Sequence, residues 1–208
     1  MKNRPNIKED LNSGHLRFPS TSHFRLVNAF YSGIDGLRAQ FEIAVSGALE
    51  SKGDPYPLKY AFLDGGYQFL TVGADNVFPP DKVHDLLENL RGWALKELGV
   101  SHVSTPQLRI YVNESYRTMA RDDTKAGWHY LLSLSAPSAG DRASVKILTD
   151  AEGGEGRRSI WSVSGTATVR LQFNQLLVHR SNCFYSIETM RASSNPREGI
   201  VFLDGYLW

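Results

Sequence analysis

The sequence predicts a double-layered β core with a helical buttress supplied by its N-terminal half. Three observations predict it. Beyond residue 100 the apolar residues fall in short runs rich in Val, Ile, Leu and aromatics, and most are separated by Gly, Pro, Asn, Asp or Ser. These runs recur at intervals of roughly 8–12 residues, the spacing of a sandwich, barrel or jelly roll. The two segments with helical periodicity both lie before residue 100. A chain of 208 residues suits one domain, and at this size about 70% of the extended surface becomes buried on folding.

Residues 1–22 are polar, contain Pro5 and Pro19, and read as an extension with little structure of its own. A helix starts near Asp35, a good N-cap. Leu37, Phe41, Ala44, Val45 and Ala48 then recur at steps of three and four and form one apolar stripe. Residues 59–63 and 67–72 flank Gly65-Gly66 and read as a hairpin. A second helix follows Phe78-Pro79-Pro80-Asp81. The prolines fit a helix entry, and Asp81 sits at the positive end of the dipole. Its stripe is Val83, Leu86, Leu87, Leu90, Ala94 and Leu98, and Gly99 stops it. Later strands are predicted at 107–112, 128–134, 144–148, 159–163, 168–171, 175–179, 184–188 and 200–203.

Composition excludes several function classes. There are 23 basic and 22 acidic side chains and a formal charge of +1, so the broad basic footprint of a nucleic-acid binder is missing. A single cysteine, Cys183, cannot build a disulfide framework or a cysteine metal cage. No apolar run is long enough to span a membrane, and the N-terminus lacks the apolar region of a signal peptide. The expectation is a soluble, cytoplasmic protein with a small-molecule substrate, no nucleic-acid or membrane partner, and room for a homodimeric or heteromeric partner.

From about residue 30 to its end the chain resembles the iron(II)/2-oxoglutarate-dependent oxygenases. The likeness is carried by several segments in order. Gly36-Leu37-Arg38-Ala39-Gln40-Phe41 resembles an early helix of one bacterial branch, and Phe78-Pro79-Pro80 and Leu98-Gly99 bound a similar helix. Leu108-Arg109-Ile110-Tyr111-Val112-Asn113 resembles the strand that leads into the metal motif. Trp128-His129-Tyr130-Leu131-Leu132-Ser133 and Phe173-Asn174-Gln175-Leu176-Leu177-Val178 resemble two later strands. Asn195-Pro196-Arg197-Glu198-Gly199, with residues 200–208, resembles the closing one. The resemblance implies a double-stranded β-helix, a jelly-roll or cupin-like fold, over residues 23–208 as a single domain. It also implies three iron ligands, an HxD pair and a distal His, and an Arg clamp for the 2-oxoglutarate carboxylate.

Carried over residue by residue, that ligand set is degenerate. HxD falls on residues 120–122, where Asp122 is present but Ala120 replaces the His. The distal His falls on Tyr185, whose neutral phenol is a poor iron(II) ligand. The clamp Arg falls on Ile200. Arg197 lies three positions earlier, an odd offset that puts it on the opposite face of a strand. Standard iron and 2-oxoglutarate binding is therefore expected to be lost, leaving no cofactor. Iron(II) with 2-oxoglutarate remains the alternative.

The polar residues at the mouth of such a barrel still offer chemistry. Asp122 beside Asp123 is a like-charge pair whose burial would raise one carboxyl toward general-base range. Tyr185 is a candidate proton donor, and Tyr111 and Asn113 are candidates to bond a substrate carbonyl. Arg109, His129 and His179 are further polar candidates. The predicted catalytic group is Asp122, Tyr185, Tyr111 and His129, with Arg109, Asn113, Asp123 and His179 binding substrate. Each also has an ordinary reading: the aspartates cap a turn before Gly127, and the tyrosines and histidines pack in the core. His129 and His179 are the only two of the six histidines in predicted core strands. They leave open a displaced metal site with Asp122 and Asp123, although no HxH, HxxxH or HExxH spacing supports it. Cys183 reads as a small buried residue, and the Gly-rich stretch 153–158 as a loop.

Three functions follow. The first is a repurposed enzyme doing metal-independent isomerisation, cyclisation or dehydration on a small biosynthetic intermediate. The second is a non-catalytic binding or partner subunit, to whose interface Tyr206-Leu207-Trp208 would contribute. The third is a true hydroxylase whose ligands include His129 and His179.

Overall fold

The computed structural model describes residues 24–50, 59–63, 66–113, 115–120, 127–136, 143–150, 163–189 and 193–208. Among them are eleven strands, which form one curled antiparallel sheet, and two long helices. The strands are β1 (Phe24–Val27), β2 (Lys59–Leu63), β3 (Tyr67–Gly73), β4 (Gln107–Tyr111), β5 (Tyr116–Ala120) and β6 (Trp128–Ser133). They continue with β7 (Ala143–Asp150), β8 (Val163–Val169), β9 (Leu176–Arg180), β10 (Tyr185–Thr189) and β11 (Ile200–Leu207). Two four-stranded arrays make the core. One runs β9-β6-β11-β4 and the other β5-β10-β7-β8. β3 joins them, since its C-terminal half pairs β4 and its N-terminal residues pair β5. β1 extends the first array beside β9, and β2 pairs β3 as the predicted hairpin. This is the double-stranded β-helix that the sequence led us to expect.

Both helices cover the outer face of the first array. The first, α1 (Ile34–Glu50), buries Ile34, Leu37, Phe41 and Val45, with Ala44 half-buried beside them. The second, α2 (Pro80–Leu98), buries Val83, Leu86, Leu90 and Ala94, and Leu87 and Leu98 pack at its margin. Pro80 occupies its first turn, and Gly99 closes it in the left-handed conformation at φ 70°. These side chains meet Leu108, Ile110, Tyr130, Leu132, Leu176, Val178, Val201 and Leu203 of the array. Strand alternation sends the intervening residues the other way, into the space between the arrays. There Tyr111, Leu131, Leu177, Ile200 and Phe202 meet Val145, Ile147, Tyr185 and Ile187 of the second array.

Several expectations need adjustment. The strand expected at 107–112 ends at Tyr111, and Val112 lies beyond it. Separate strands at 159–163 and 168–171 give way to a single described one, β8, with Leu171 beyond its end. Residues 159–162 lie outside the described residues, as do residues 1–22. β1 and β5 went unpredicted. The closing strand expected at 200–203 runs on to Leu207, which is buried, and the exposed Trp208 stacks on the His102 ring. No described helix is long and apolar enough to cross a membrane.

Candidate active site between the two arrays

A line of polar side chains crosses the inner face of the first array at right angles to its strands. Each of the four neighbouring strands contributes one residue: His179 from β9, His129 from β6, Asp204 from β11 and Arg109 from β4. Register explains the contacts. His129 lies directly opposite His179, and Arg109 lies opposite Phe202, two residues from Asp204 on the same face. His129 Nδ1 is 2.9 Å from His179 Nε2, and His129 Nε2 is 2.8 Å from Asp204 Oδ2. Arg109 Nη2 lies 2.7 Å from Asp204 Oδ1. At the far end His179 Nδ1 is 2.9 Å from the Arg180 carbonyl oxygen.

Donor and acceptor accounting fixes the protons of this line. A carbonyl only accepts, so His179 Nδ1 donates to Arg180. His179 Nε2 must then accept, and His129 Nδ1 donates to it. His129 Nε2 faces the Asp204 carboxylate. The titration behaviour agrees at both ends. Burial, then the adjacent His129, pull His179 down to about 3. For Asp204, burial opposes ionisation, but Arg109 and His129 outweigh it and hold the carboxyl below its ordinary range.

Arg109 carries the line to the second array. It is within hydrogen-bond reach of the Tyr185 hydroxyl on β10. Burial raises the Tyr185 phenol to about 12, and Asp204 adds to the rise while Arg109 and Arg117 oppose it. Burial also raises Tyr111. Both phenols therefore stay protonated near neutral pH. Arg117 of β5 lies opposite Ile187, and its guanidinium sits 4.4 Å over the Tyr185 ring. Arg109 lies 5.0 Å over the Phe69 ring in the same way. Three buried donors in this group have no partner among the described residues: Arg109 Nη1, Arg117 Nε and the Tyr111 hydroxyl.

The predicted site residues divide three ways. Arg109, Tyr111, His129, His179 and Tyr185 come together between the arrays, while Asn113 does not. It lies past the end of β4, exposed, with its N–H donating to the Ser193 carbonyl, because the chain turns there. Asp122 and Asp123 lie outside the described residues, as does the Gly-rich stretch 153–158. Asp204 and Arg117 were missed. Asp204 carried a readable signal, for it is a lone carboxylate on the face shared by Ile200 and Phe202 of an apolar strand. The positions that the resemblance marks as degenerate, Ala120, Tyr185 and Ile200, lie on β5, β10 and β11. Ala120 lies directly opposite Tyr185, and Ile200 lies opposite Tyr111.

An iron(II) ion does not fit these residues. The histidine nitrogens are spent on one another, on Asp204 and on Arg180, so no lone pairs converge. Among the described residues no three His, Cys, Asp or Glu side chains form a metal-binding group. Ala120 offers no ligand atom, and the Arg117 guanidinium beside Tyr185 would repel a dication. Of the alternative site built on His129, His179, Asp122 and Asp123, the two rings meet within hydrogen-bond distance of each other, and the two aspartates lie outside the described residues.

Known structures of this shape bear on the fold. No family model matches the chain, and no curated protein matches it. A prolyl-4-hydroxylase from Pseudomonas putida superposes with a TM-score of 0.60 at 14% identity, covering 90% of this chain and 92% of its own. SnoK, a non-heme α-ketoglutarate-dependent carbocyclase from nogalamycin biosynthesis, superposes at 0.62 and 14% identity, covering 96% and 85%. SnoN, an epimerase from the same biosynthesis and likewise α-ketoglutarate-dependent, superposes at 0.59 and 12% identity, covering 88% and 77%. The chain has the 2-oxoglutarate oxygenase fold. At these identities the likeness speaks for the fold, and the chemistry has to be argued from the side chains.

Proposed function

We propose that this chain is an oxygenase-fold enzyme that works without iron. It would bind a small biosynthetic intermediate between the two arrays and move protons on it, in an isomerisation, cyclisation or dehydration. The observation that carries this reading is the His179, His129, Asp204, Arg109 line, which spends on hydrogen bonds the groups a metal would need. In this reading Tyr185 is the proton donor. Arg109 bonds to the phenol oxygen, so the phenol's own proton is left for a ligand, and the nearby cations stabilise the phenolate formed when it leaves. Tyr111 supplies a second hydroxyl. His179, His129 and Asp204 are positioning residues: they fix the charge on Asp204, and Asp204 fixes Arg109. Asp122 and Asp123 remain candidate bases.

A second reading draws on one observation, that the similar structures include α-ketoglutarate-dependent enzymes. It would require iron ligands from residues 121–126. The test separates the two. Protein stripped of metal and held in chelator is screened against biosynthetic intermediates, then rescreened with iron(II) and 2-oxoglutarate. Turnover in chelator that is lost in Tyr185→Phe supports the first reading. A strict requirement for iron(II) and 2-oxoglutarate overturns it.

A further inference from the structure

We infer that the unspent donors between the arrays form a carboxylate-binding site, built on β4 and β5. This rests on the metal-free reading above and names the substrate class for it: an organic acid whose carboxylate seats on Arg109, Arg117 and Tyr111.

Three observations converge. The first is the donor count. Arg109 Nη1, Arg117 Nε and Tyr111 Oη are all buried without a partner among the described residues. A buried donor left unmade is costly, and three in one place form a set that an acceptor would satisfy together. The second is their proximity. The Arg109 guanidinium lies 5.0 Å over the Phe69 ring, whose centroid is 5.3 Å from that of Tyr111, and the Arg117 guanidinium lies 4.4 Å over the ring of Tyr185 on the neighbouring strand. Their scaffolding is rigid, because the Arg109 and Arg117 guanidiniums stand over the Phe69 and Tyr185 rings and the Tyr111 ring packs against Phe69 and Phe202. The third is charge. Arg109 and Arg117 carry two positive charges, and Asp204 returns one negative charge. The cluster is net cationic and buried, which favours an anion.

The geometry selects the anion's shape. The donors are two guanidinium N–H groups and one hydroxyl. A carboxylate has two oxygens and about four acceptor sites, so it can take all three. Tyr185 stands at the same cluster, under the Arg117 guanidinium. The clamp position of the resembled family is Ile200 on β11, opposite Tyr111, and it contributes no donor. The anion would therefore be held from β4 and β5.

The experiment is titration calorimetry of the full chain, stripped of metal and kept in chelator, with sodium succinate as the probe. Sodium phosphate and sodium chloride serve as separate arms, with thermal unfolding measured in parallel. Succinate binding is expected, weakened roughly tenfold to a hundredfold by Arg117→Gln and several-fold by Tyr111→Phe. The Tyr111→Phe protein gives a readout independent of misfolding. Its ligand-free unfolding temperature should match or exceed the wild type, since an unpartnered buried hydroxyl is removed, while its succinate-induced shift shrinks. Tighter binding of phosphate than succinate would overturn the carboxylate assignment. So would succinate binding that is unchanged in both variants, or no succinate binding with or without iron(II). Binding that needs iron(II) yet is lost in Arg117→Gln would uphold the donor assignment and sink the metal-free reading instead.

Discussion

Lowering the pH from 7 to 4 should strip a large part of this protein's stability, and His179 is the reason. In the unfolded chain its imidazole titrates at 6.5, and in the fold burial and His129 push it down to about 3. Between those values the unfolded state holds a proton that the folded state refuses. Stability therefore falls as pH drops through that window, by about 1.4 kcal/mol per pH unit. From 6.5 to 4 the loss is roughly 3 kcal/mol, a substantial share of the 5–15 kcal/mol typical of a domain. Asp204 acts with the same sign but lower on the scale. Its depressed carboxyl contributes stability that is present above the ordinary aspartate value of 3.8 and lost on further acidification. The window between 4 and 6.5 thus isolates the histidine. Urea unfolding at steps across it, followed by circular dichroism, measures the slope. His179→Asn keeps a donor for the Arg180 carbonyl and removes the titration. It should be less stable at pH 7 but lose markedly less on acidification. An equal slope in wild type and variant would refute the burial argument.

Other outcomes follow from the same geometry. Asp204→Asn leaves the buried Arg109 guanidinium without its counter-ion, so it should destabilise the fold by about 3 kcal/mol in denaturant titration. Asp204→Asn should also lower turnover while leaving Tyr185 in place, because Arg109 is no longer fixed. Gly127→Ala should cost at least about 2 kcal/mol. Gly127 has φ 114°, and a Cβ there would lie 2.3 Å from the Leu207 carbonyl oxygen, so the start of β6 could no longer approach the end of β11.

Particular residues show why some of this was legible in the sequence. The helices were readable because their stripes face one surface and their ends carry Pro80 and Gly99. The strands of the first array were readable as near-continuous apolar runs, since helices cover one face and the second array the other. β5 was not, because it reads Tyr116-Arg117-Thr118-Met119-Ala120, with Thr118 and Met119 exposed and only partial burial elsewhere. β1 hid between polar neighbours with all four residues half-buried. The polar line across β9, β6, β11 and β4 was half legible. His129, His179 and Arg109 stood out as polar residues in core strands. Their joining at Asp204 depends on which strands are neighbours and in what register, and local pattern carries no such information.

The central claim is that the fold persists while its residues hold no iron. Elemental analysis after anaerobic reconstitution with iron(II) and 2-oxoglutarate, followed by desalting, tests it directly. The account predicts far less than one iron per chain and no succinate on exposure to oxygen. One tightly held iron per chain, with succinate accumulating, would contradict it.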